Sequence, residues 1–240
     1  MKLSIKAKDI SVRINGREIL RKISLEFSGP GLFFIIGENG SGKSTLLRVL
    51  AGLIPYEGDV IINDRPQRDY SRKELAKTVG YVWQNPLYGF FEESVEREIA
   101  FILKNLGLPL SRMDRIIEFF GLKDLLDRSP FTLSGGEAKR VSISSIIVAD
   151  QPIILFDEPE AEMDLEGLNA LMKYVREHAE EKLIIIATHN PLVAYKLREN
   201  VRGIYYLKDG EIVHTGGIES LSNAEFLVRI GVVPLSWWRE

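Results

Sequence analysis

A glycine-rich stretch at residues 37–44, GENGSGKS, has the clearest capacity for chemistry in this sequence. It matches the pattern G-x-x-x-x-G-K-[S/T], follows an apolar run that predicts a strand, and precedes a helical pattern, which is the context in which such a loop wraps phosphate. Backbone N–H groups and the positive end of the following helix bind the anion. We expect Lys43 to reach the β- and γ-phosphates and the Ser44 hydroxyl to hold Mg²⁺. The nucleotide contacts predicted for this stretch are those of Gly37, Glu38, Asn39, Gly40, Ser41, Gly42, Lys43, Ser44 and Thr45.

Two adjacent carboxylates, Asp157 and Glu158, follow the apolar run IILF. The run predicts a buried strand, and open α/β sheets bind their ligands at the carboxyl ends of such strands. An isolated Asp-Glu pair at a strand end is most often only solvated, but beside a phosphate loop a chemical role is favoured. Asp157 is then placed to support Mg²⁺ through water, and Glu158 to polarise the water that attacks the phosphate.

Three further polar features lie in an informative order along the chain. Gln84 follows the predicted strand YVW, and His189 follows LIIIAT. Taken singly, each is more often an ordinary turn or loop residue. Between them lies FTLSGGEAKR, in which Ser134, Gly135 and Gly136 offer a second grip for phosphate. The chain therefore carries two stretches that are suited to binding phosphate, and the presence of the second requires an explanation.

The hydrophobic pattern predicts the elements that position these residues. Asn15-Gly16 and Asp209-Gly210 each separate two strand-like segments, and such dipeptides favour type I′ hairpin turns. PIILFDEP and KLIIIATHN are β-branched runs without alternation, which suit parallel strands covered on both faces. Residues 85–128 carry amphipathic helical patterns, and NAEFLVRIGVVPLSWWRE predicts a short helical tail. These patterns predict an α/β fold with a mostly parallel sheet.

Composition narrows the classes of partner. The formal net charge of the 240 residues is -3, so the chain lacks the overall basic character of a nucleic-acid-binding domain. There is no cysteine, which excludes disulfides and thiolate metal sites and fits a reducing compartment. The start, MKLSIKAKDISVRI, is not typical of a secretory signal. No apolar run approaches the roughly 20 residues that a membrane-spanning helix needs, so a role at a membrane requires a partner.

In their order, the motifs resemble those of the nucleotide-binding subunit of ATP-binding cassette (ABC) transporters over essentially the whole chain. GENGSGKS resembles the Walker A motif, VWQNP the Q-loop, LSGGE the signature motif, IILFDEP Walker B, AEMD the D-loop and ATHN the H-loop. The resemblance implies a P-loop NTPase of the ABC type, with a mostly parallel core sheet, an N-terminal antiparallel β subdomain and a helical subdomain. It implies a single ABC ATPase domain with its core at residues 1–84 and 150–215, a helical part at 85–149 and an extension at 216–240.

The resemblance also implies a mechanism that uses ATP and Mg²⁺. Two subunits face each other head to tail, and each ATP lies between the Walker A loop of one and the signature loop of the other. Ser44, Gln84 and Asp157 are the implied contacts of Mg²⁺, and Glu158 and His189 are the implied catalytic residues. The residues implied to contact the ATP of the second subunit are Ser134, Gly135, Gly136 and Glu137, with a helix that begins near Glu137.

The chain departs from the family pattern at a few positions. Ile14 stands near the place of the aromatic residue that usually stacks on adenine, so we expect weaker base discrimination. Glu160 follows Pro159 where the family often has Thr, Ser or Ala, and it adds negative charge near the site. Asp164 in the D-loop is kept, and the resemblance implies that it connects the two sites. After the signature, VSISSIIVAD replaces a stretch that is commonly rich in Ala and Arg, and serines can bond back to helix carbonyls.

Two segments resemble the ATPases of energy-coupling-factor transporters, which import vitamins or transition-metal ions. They are QNPLYGFFEESVEREIAFILKNLGL, which resembles the Q-helix region, and the tail FLVRIGVVPLSWW. The subgroup implies a second ATPase subunit, identical or not, a transmembrane coupling subunit and a membrane substrate-binding subunit. It places the chain at the cytoplasmic face of the cell membrane, held by its partners. We expect no nucleic acid among them.

The segment after Gln84 is the expected docking face for the coupling subunit. Its apolar candidates are Tyr88, Phe90 and Phe91, while Glu92 and Glu93 could meet arginines. The alternative is that these aromatic residues only pack the helical region. Trp237 and Trp238 could likewise contact a partner or cover the chain's own core.

Other classes of ABC protein remain as alternatives. An ATPase of another ABC transporter would share the same motifs. ATPases that maintain chromosomes carry long coiled coils between the phosphate loop and the signature, and the interval from Lys43 to Ser134 has no sustained heptads. Ribosome-associated ABC factors usually have two cassettes in one chain, whereas this sequence shows one set of motifs. A non-hydrolytic sensor is disfavoured because Glu158 and His189 are both present.

Overall fold

The computed structural model describes residues 3–238, and its backbone forms two β-sheets with helices packed around them. The strands are β1 Ser4–Ile14, β2 Arg17–Ser28, β3 Gly31–Ile36, β4 Glu57–Ile62, β5 Arg65–Pro66, β6 Val79–Val82, β7 Ile153–Asp157, β8 Leu183–Thr188, β9 Val201–Lys208 and β10 Glu211–Gly216. The helices are α1 Lys43–Leu50, α2 Arg72–Thr78, α3 Val95–Leu106, α4 Arg112–Phe119, α5 Gly135–Ile147, α6 Leu165–His178, α7 Pro191–Lys196 and α8 Ala224–Arg229.

The larger sheet has six strands in the order β10-β9-β3-β8-β7-β6, and all but β10 run parallel. Alternate residues of β3 face two different cores: Leu32 and Phe34 pack with the helices, and Phe33 and Ile35 pack with the smaller sheet and α1. Both faces are therefore buried, which is why the sequence shows apolar runs without alternation. The prediction of an α/β fold with a mostly parallel sheet is confirmed.

The smaller sheet has four antiparallel strands in the order β2-β1-β4-β5. Asn15 and Gly16 between β1 and β2 both have positive φ, 50° and 79°, as a type I′ turn requires. Asp209 and Gly210 do the same between β9 and β10, with φ of 48° and 79°. Both predicted hairpins are present, and the second lies beside the phosphate loop, because the Gly210 N–H donates to the Ser41 carbonyl at 3.0 Å.

Helices α3, α4 and α5 occupy the interval between β6 and β7. The amphipathic patterns predict α3 and α4, and the family resemblance implies α5. Ser94 caps the N-terminus of α3 with its side chain, and Gly107 ends α3 at a φ of 70°, a left-handed conformation that glycine adopts without penalty. The tail forms α8 and a 3₁₀ turn at Leu235–Trp238. None of the helices between residues 3 and 238 is long and apolar enough to cross a bilayer.

Candidate active site

Four neighbouring parallel strands, β3, β8, β7 and β6, end at the same edge of the larger sheet. Just beyond their carboxyl ends lie Gly37 after β3, His189 after β8, Glu158 after β7 and Gln84 two residues after β6. These four residues are far apart in the sequence, and they lie close together because the strands that carry them are neighbours in the sheet. This is the edge at which open α/β sheets bind ligands.

At two positions of the phosphate loop, Gly37 and Gly42, a larger residue would clash with its surroundings. A Cβ on Gly37 would lie 2.1 Å from the Leu207 carbonyl oxygen, and Gly42 has a φ of 107° with Leu20 2.8 Å from a Cβ position. Helix α1 begins immediately afterwards at Lys43. The Lys43 ammonium group folds back over the loop and donates to the carbonyl of Gly37 at 2.9 Å and of Glu38 at 3.0 Å.

Three of the predicted site residues, Lys43, Gln84 and His189, converge on the carboxylate of Glu158. Its Oε1 lies 3.2 Å from Lys43 Nζ. Its Oε2 accepts from Gln84 Nε2 at 3.2 Å and lies 3.1 Å from His189 Nδ1. The backbone of Glu158 has a φ of 43°, and its N–H donates to the Ala187 carbonyl at 2.9 Å. Such a conformation costs about 1–3 kcal/mol in a non-glycine residue and is typical of functional sites.

Asp157 is fully buried and lies against Ser44, the residue predicted to share Mg²⁺ with it. Ser44 Oγ donates to Asp157 Oδ1 at 2.9 Å, and the Tyr81 hydroxyl donates to Oδ2 at 2.9 Å. Burial raises the pKa of Asp157, while the hydrogen bonds from Tyr81 and Ser44 lower it. A hydroxyl and a carboxylate beside a phosphate loop fit Mg²⁺, which prefers oxygen ligands and usually binds through one or two carboxylates together with phosphates.

The sequence did not point to Tyr81 as part of the site. Its ring lies in β6 with the side chain buried, and its hydroxyl also accepts from Arg48 Nε at 3.3 Å. A tyrosine in an apolar strand is an ordinary core residue as far as the sequence can tell. Only the pairing of β6 with β7 brings its hydroxyl to Asp157.

Glu160 adds a negative charge at a position where the family often has Thr, Ser or Ala, and the structure shows what surrounds its carboxylate. The Thr188 hydroxyl donates to its Oε1, while its Oε2 is buried without a hydrogen-bond partner. Burial raises the pKa of the Glu160 carboxyl, and the hydrogen bond from Thr188 partly opposes this. Glu160 is thus held inside the protein rather than pointing into solvent.

The signature residues form a second group. Ser134 caps α5 in a capping box: its N–H donates to Glu137 Oε2 at 2.8 Å, and its hydroxyl also contacts that carboxylate at 2.8 Å. The helix begins at Gly135, so the expectation of a start near Glu137 is corrected by two residues, because the Ser134 cap defines the first residue. The backbone N–H of Ser134 lowers the pKa of Glu137.

The signature group lies beside the D-loop rather than beside the phosphate loop. A Cβ on Gly136 would lie 3.0 Å from Asp164 Oδ2, and Asp164 itself caps α6 by accepting from the Gly167 N–H at 2.7 Å. Ser134 and Gly135 are exposed. Among the described residues, no hydrogen bond joins residues 134–136 to residues 37–44.

A phosphate loop on the central strand, with two carboxylates on a nearby strand end, defines a P-loop nucleotide hydrolase. The sequence profile of the ABC transporter family matches residues 20–161. The chain belongs to the ABC transporter family, and it is an ABC ATPase that binds ATP.

Several relatives are similar over most of their length. A putative ABC transporter ATP-binding protein of Pyrococcus abyssi is 39% identical over 211 residues, covering 85% of this chain and 80% of its own length. The energy-coupling factor transporter ATP-binding protein EcfA2 of Bacillus thuringiensis is 37% identical, covering 92% of this chain and 79% of its own. EcfA1 of Thermotoga maritima, also an energy-coupling factor transporter ATP-binding protein, is 31% identical, covering 93% of this chain and 86% of its own length.

Solved structures agree with the fold. The structure of cbiO1 from Clostridium perfringens, described as part of the ABC transporter complex cbiONQ, has a TM-score of 0.74 at 27% identity, covering 94% of this chain and 92% of that one. A dimeric ATP-binding cassette in a post-hydrolysis state with ADP and Pi has a TM-score of 0.77 at 24% identity, covering 89% and 98%. Because the sequence identity to this dimeric cassette is low, the similarity to it supports the fold and nothing further.

Proposed function

We propose that this chain is the ATP-hydrolysing subunit of an importer of the energy-coupling-factor type, working with Mg²⁺ in a dimer of ATPase subunits. The observation that carries the catalytic part is the convergence of Lys43, Gln84 and His189 on the Glu158 carboxylate. The observation that supports the subgroup is the similarity to EcfA1 and EcfA2 over more than nine tenths of the chain.

In this proposal each residue has a defined task. Glu158 polarises the attacking water, and His189 and Gln84 orient the Glu158 carboxylate through its Oε2. Lys43 and the glycine-rich loop bind the phosphates. Ser44, Asp157 and Gln84 would hold Mg²⁺, which neutralises the charge that develops on the phosphate oxygens.

The exposed signature loop supports a site shared between two subunits. Ser134 and Gly135 are exposed and make no hydrogen bond to the chain's own phosphate loop, whereas Lys43 is buried in that loop and Glu158 is buried against Lys43. A loop that presents backbone N–H groups at a helix start is suited to an anion that another molecule brings. We propose that this anion is the ATP bound to the facing subunit, of the same or a related chain.

The docking surface for the membrane coupling subunit is proposed around the segment after Gln84. Tyr88 is 65% exposed and Phe91 is 71% exposed and stacked on Phe101. Phe90, the third aromatic candidate, is 5% exposed and packs in the core, so its assignment to the docking surface is corrected. The turn between them points one ring inward and the next outward. Through this surface the chain would be held at the cytoplasmic face of the membrane.

The catalytic part is tested by Glu158→Gln. Replacing the carboxylate removes the general base but keeps the shape, so we expect MgATP binding to remain and turnover to fall about 10²–10⁴-fold. Turnover is measured by phosphate release and binding by nucleotide titration. Glu98→Gln is the matched control, since Glu98 is equally buried and lies outside the site. Near-normal turnover in Glu158→Gln would reject the assigned role.

The subgroup is tested by purifying the tagged chain from native membranes and identifying the proteins that co-purify. Because Tyr88 and Phe91 are more than half exposed, we expect a membrane coupling subunit to co-purify, together with a second ATPase and a small membrane protein that binds a vitamin or metal ion. Purification of the double variant Tyr88→Ser/Phe91→Ser is the control and should lose the membrane proteins. Recovery of exporter domains or ribosomes with the unaltered chain would contradict the proposal.

A further inference from the structure

Helix α5 carries a buried lysine to which the sequence motifs assign no task. Lys139 follows the signature Ser134 by five residues, and its side chain has no solvent exposure. Its ammonium group donates to two main-chain carbonyls, Trp83 O at 3.1 Å and Gln84 O at 2.7 Å. A buried charge is costly unless it is paired or fully hydrogen-bonded, so this placement needs an explanation.

The two carbonyls belong to the segment that delivers Gln84 to the site. The side chain of the same Gln84 donates to Glu158 Oε2 at 3.2 Å. A short chain of contacts therefore runs from Ser134 along the rigid, capped helix α5 to Lys139, then to the Gln84 main chain, and then to the Glu158 carboxylate. The neighbouring Arg140 does not take part, since it donates to the Phe120 carbonyl at 3.0 Å.

The charge of Lys139 is opposed by acidic residues at the end of β7 and in the loop that follows it. Burial lowers the pKa of Lys139 to about 8, while the carboxylates of Glu160, Asp157, Glu162 and Glu158 act in the opposite direction, Glu160 most strongly. Glu160 has one carboxylate oxygen buried without a hydrogen-bond partner. The unusual acid after Pro159 and the buried lysine on α5 are thus complementary in charge.

We propose that Lys139 is a positioning residue that ties the signature helix to the backbone of Gln84, so that the signature loop and the Glu158 carboxylate are held in one geometry. The Glu160 carboxylate favours the charged form of Lys139. We call the two hydrogen bonds from Lys139 to the backbone of residues 83 and 84 the tie. Through the tie, the signature loop that would face the second subunit is linked to the Glu158 carboxylate of the same chain. The inference rests on the ATPase site proposed above.

The test is Lys139→Met, which keeps the length of the side chain and removes both hydrogen bonds and the charge. Because Gln84 and Glu158 lose their fixed geometry while the phosphate loop is untouched, we expect kcat for ATP to fall at least about tenfold. The KM for ATP should stay within about twofold, since the phosphate loop supplies the binding. Lys139→Gln keeps a donor and should fall between Lys139→Met and the unaltered chain.

Lys182→Met is the matched control. Lys182 is also buried, donates to the Gln151 carbonyl at 2.9 Å and lies 2.6 Å from Asp150, at the opposite end of the strands. Its loss should lower the melting temperature and leave kcat unchanged. A purely structural role for Lys139 would give the same result as this control.

A double variant separates the hydrogen bonds from the charge. Lys139→Met leaves the Glu160 carboxylate without its opposing charge, so adding Glu160→Gln should restore the melting temperature but not kcat. Restoration of kcat by Glu160→Gln would overturn the tie, because only charge would then matter. A kcat of Lys139→Met within about twofold of the unaltered chain would also overturn it, as would a rise of KM equal to the loss of kcat.

These outcomes are distinct from a failure of the proposed site. If Glu158→Gln abolishes turnover and Lys139→Met does not, only the tie is wrong. If Lys139→Met does not fold, Lys139→Gln alone decides: kcat equal to that of the unaltered chain overturns the tie even though one donor remains, and a lowered kcat at unchanged KM supports it.

Discussion

At the scale of single residues, the site depends on partners that lie outside its motifs. Asp157 belongs to a recognisable motif, but its orientation is fixed by Ser44 on one oxygen and Tyr81 on the other. Residues that orient metal ligands are nearly as important as the ligands themselves. The Tyr81 hydroxyl is such a residue if Asp157 supports Mg²⁺.

Tyr81→Phe should therefore raise the Mg²⁺ requirement of ATP hydrolysis. Losing the hydrogen bond to Oδ2 frees the carboxylate to rotate, and we expect the half-saturating Mg²⁺ concentration to rise about 10-fold or more. The rate at saturating Mg²⁺ should change little. The measurement is phosphate release over a Mg²⁺ titration at fixed ATP.

Tyr70→Phe provides the comparison for that titration. Its hydroxyl donates a hydrogen bond of 2.9 Å to the carbonyl of Ile62, the last residue of β4 in the smaller sheet. It should lose the same kind of bond without altering the Mg²⁺ dependence. An unchanged Mg²⁺ requirement in Tyr81→Phe would show that Tyr81 does not orient a metal ligand.

At the scale of elements, the features that the sequence predicts are those that depend on a short local pattern of residues. Apolar runs place Asp157 and His189 at strand ends, and Asn15-Gly16 forms its hairpin because both residues adopt positive φ. These features depend on a few adjacent residues, so one sequence is enough to find them. The grouping of the strand ends follows from the strand order, which only the structure shows.

What could not be predicted depends on contacts between distant elements. Phe90 and Phe91 are alike in sequence, yet one is buried and the other exposed. Their turn is held by Glu98 of α3, whose Oε2 accepts from the Phe91 and Glu92 N–H groups at 2.8 and 2.9 Å. Lys139 likewise looks like a surface lysine in a helix until α5 packs beside the end of β6. No local pattern encodes either outcome.

At the scale of the whole molecule, the chain carries the phosphate loop and, apart from it, the signature loop that we propose as a second phosphate-binding element. The buried group around Lys43 and Glu158 and the exposed group around Ser134 are separate. In a head-to-tail dimer with two-fold symmetry, each group of one subunit would face the other group of its partner. The molecule would then be half of each of two composite sites, and its activity would be a property of the pair.

Ser134→Arg tests this arrangement. The bulky cation should block the facing ATP but spare binding to the chain's own phosphate loop, so we expect ATP binding to be kept and turnover to be lost. The variant also removes a helix cap, which costs about 1 kcal/mol. Ser71→Arg is the matched control, because Ser71 caps α2 with the same kind of capping box through Glu74, and it should keep its turnover.

Mixing two inactive variants decides whether the site is shared. Dissociated Ser134→Arg and Glu158→Gln chains are combined in equal amounts and allowed to pair. A mixed dimer has one site with an intact Glu158 on one subunit and an intact Ser134 on the other, while its second site carries both lesions. Half of the randomly formed dimers are mixed, so activity should return to roughly a quarter of that of the unaltered protein if the sites act independently. If Ser134 instead served the ATP of its own chain, no pairing would restore an intact site and the mixture would stay inactive.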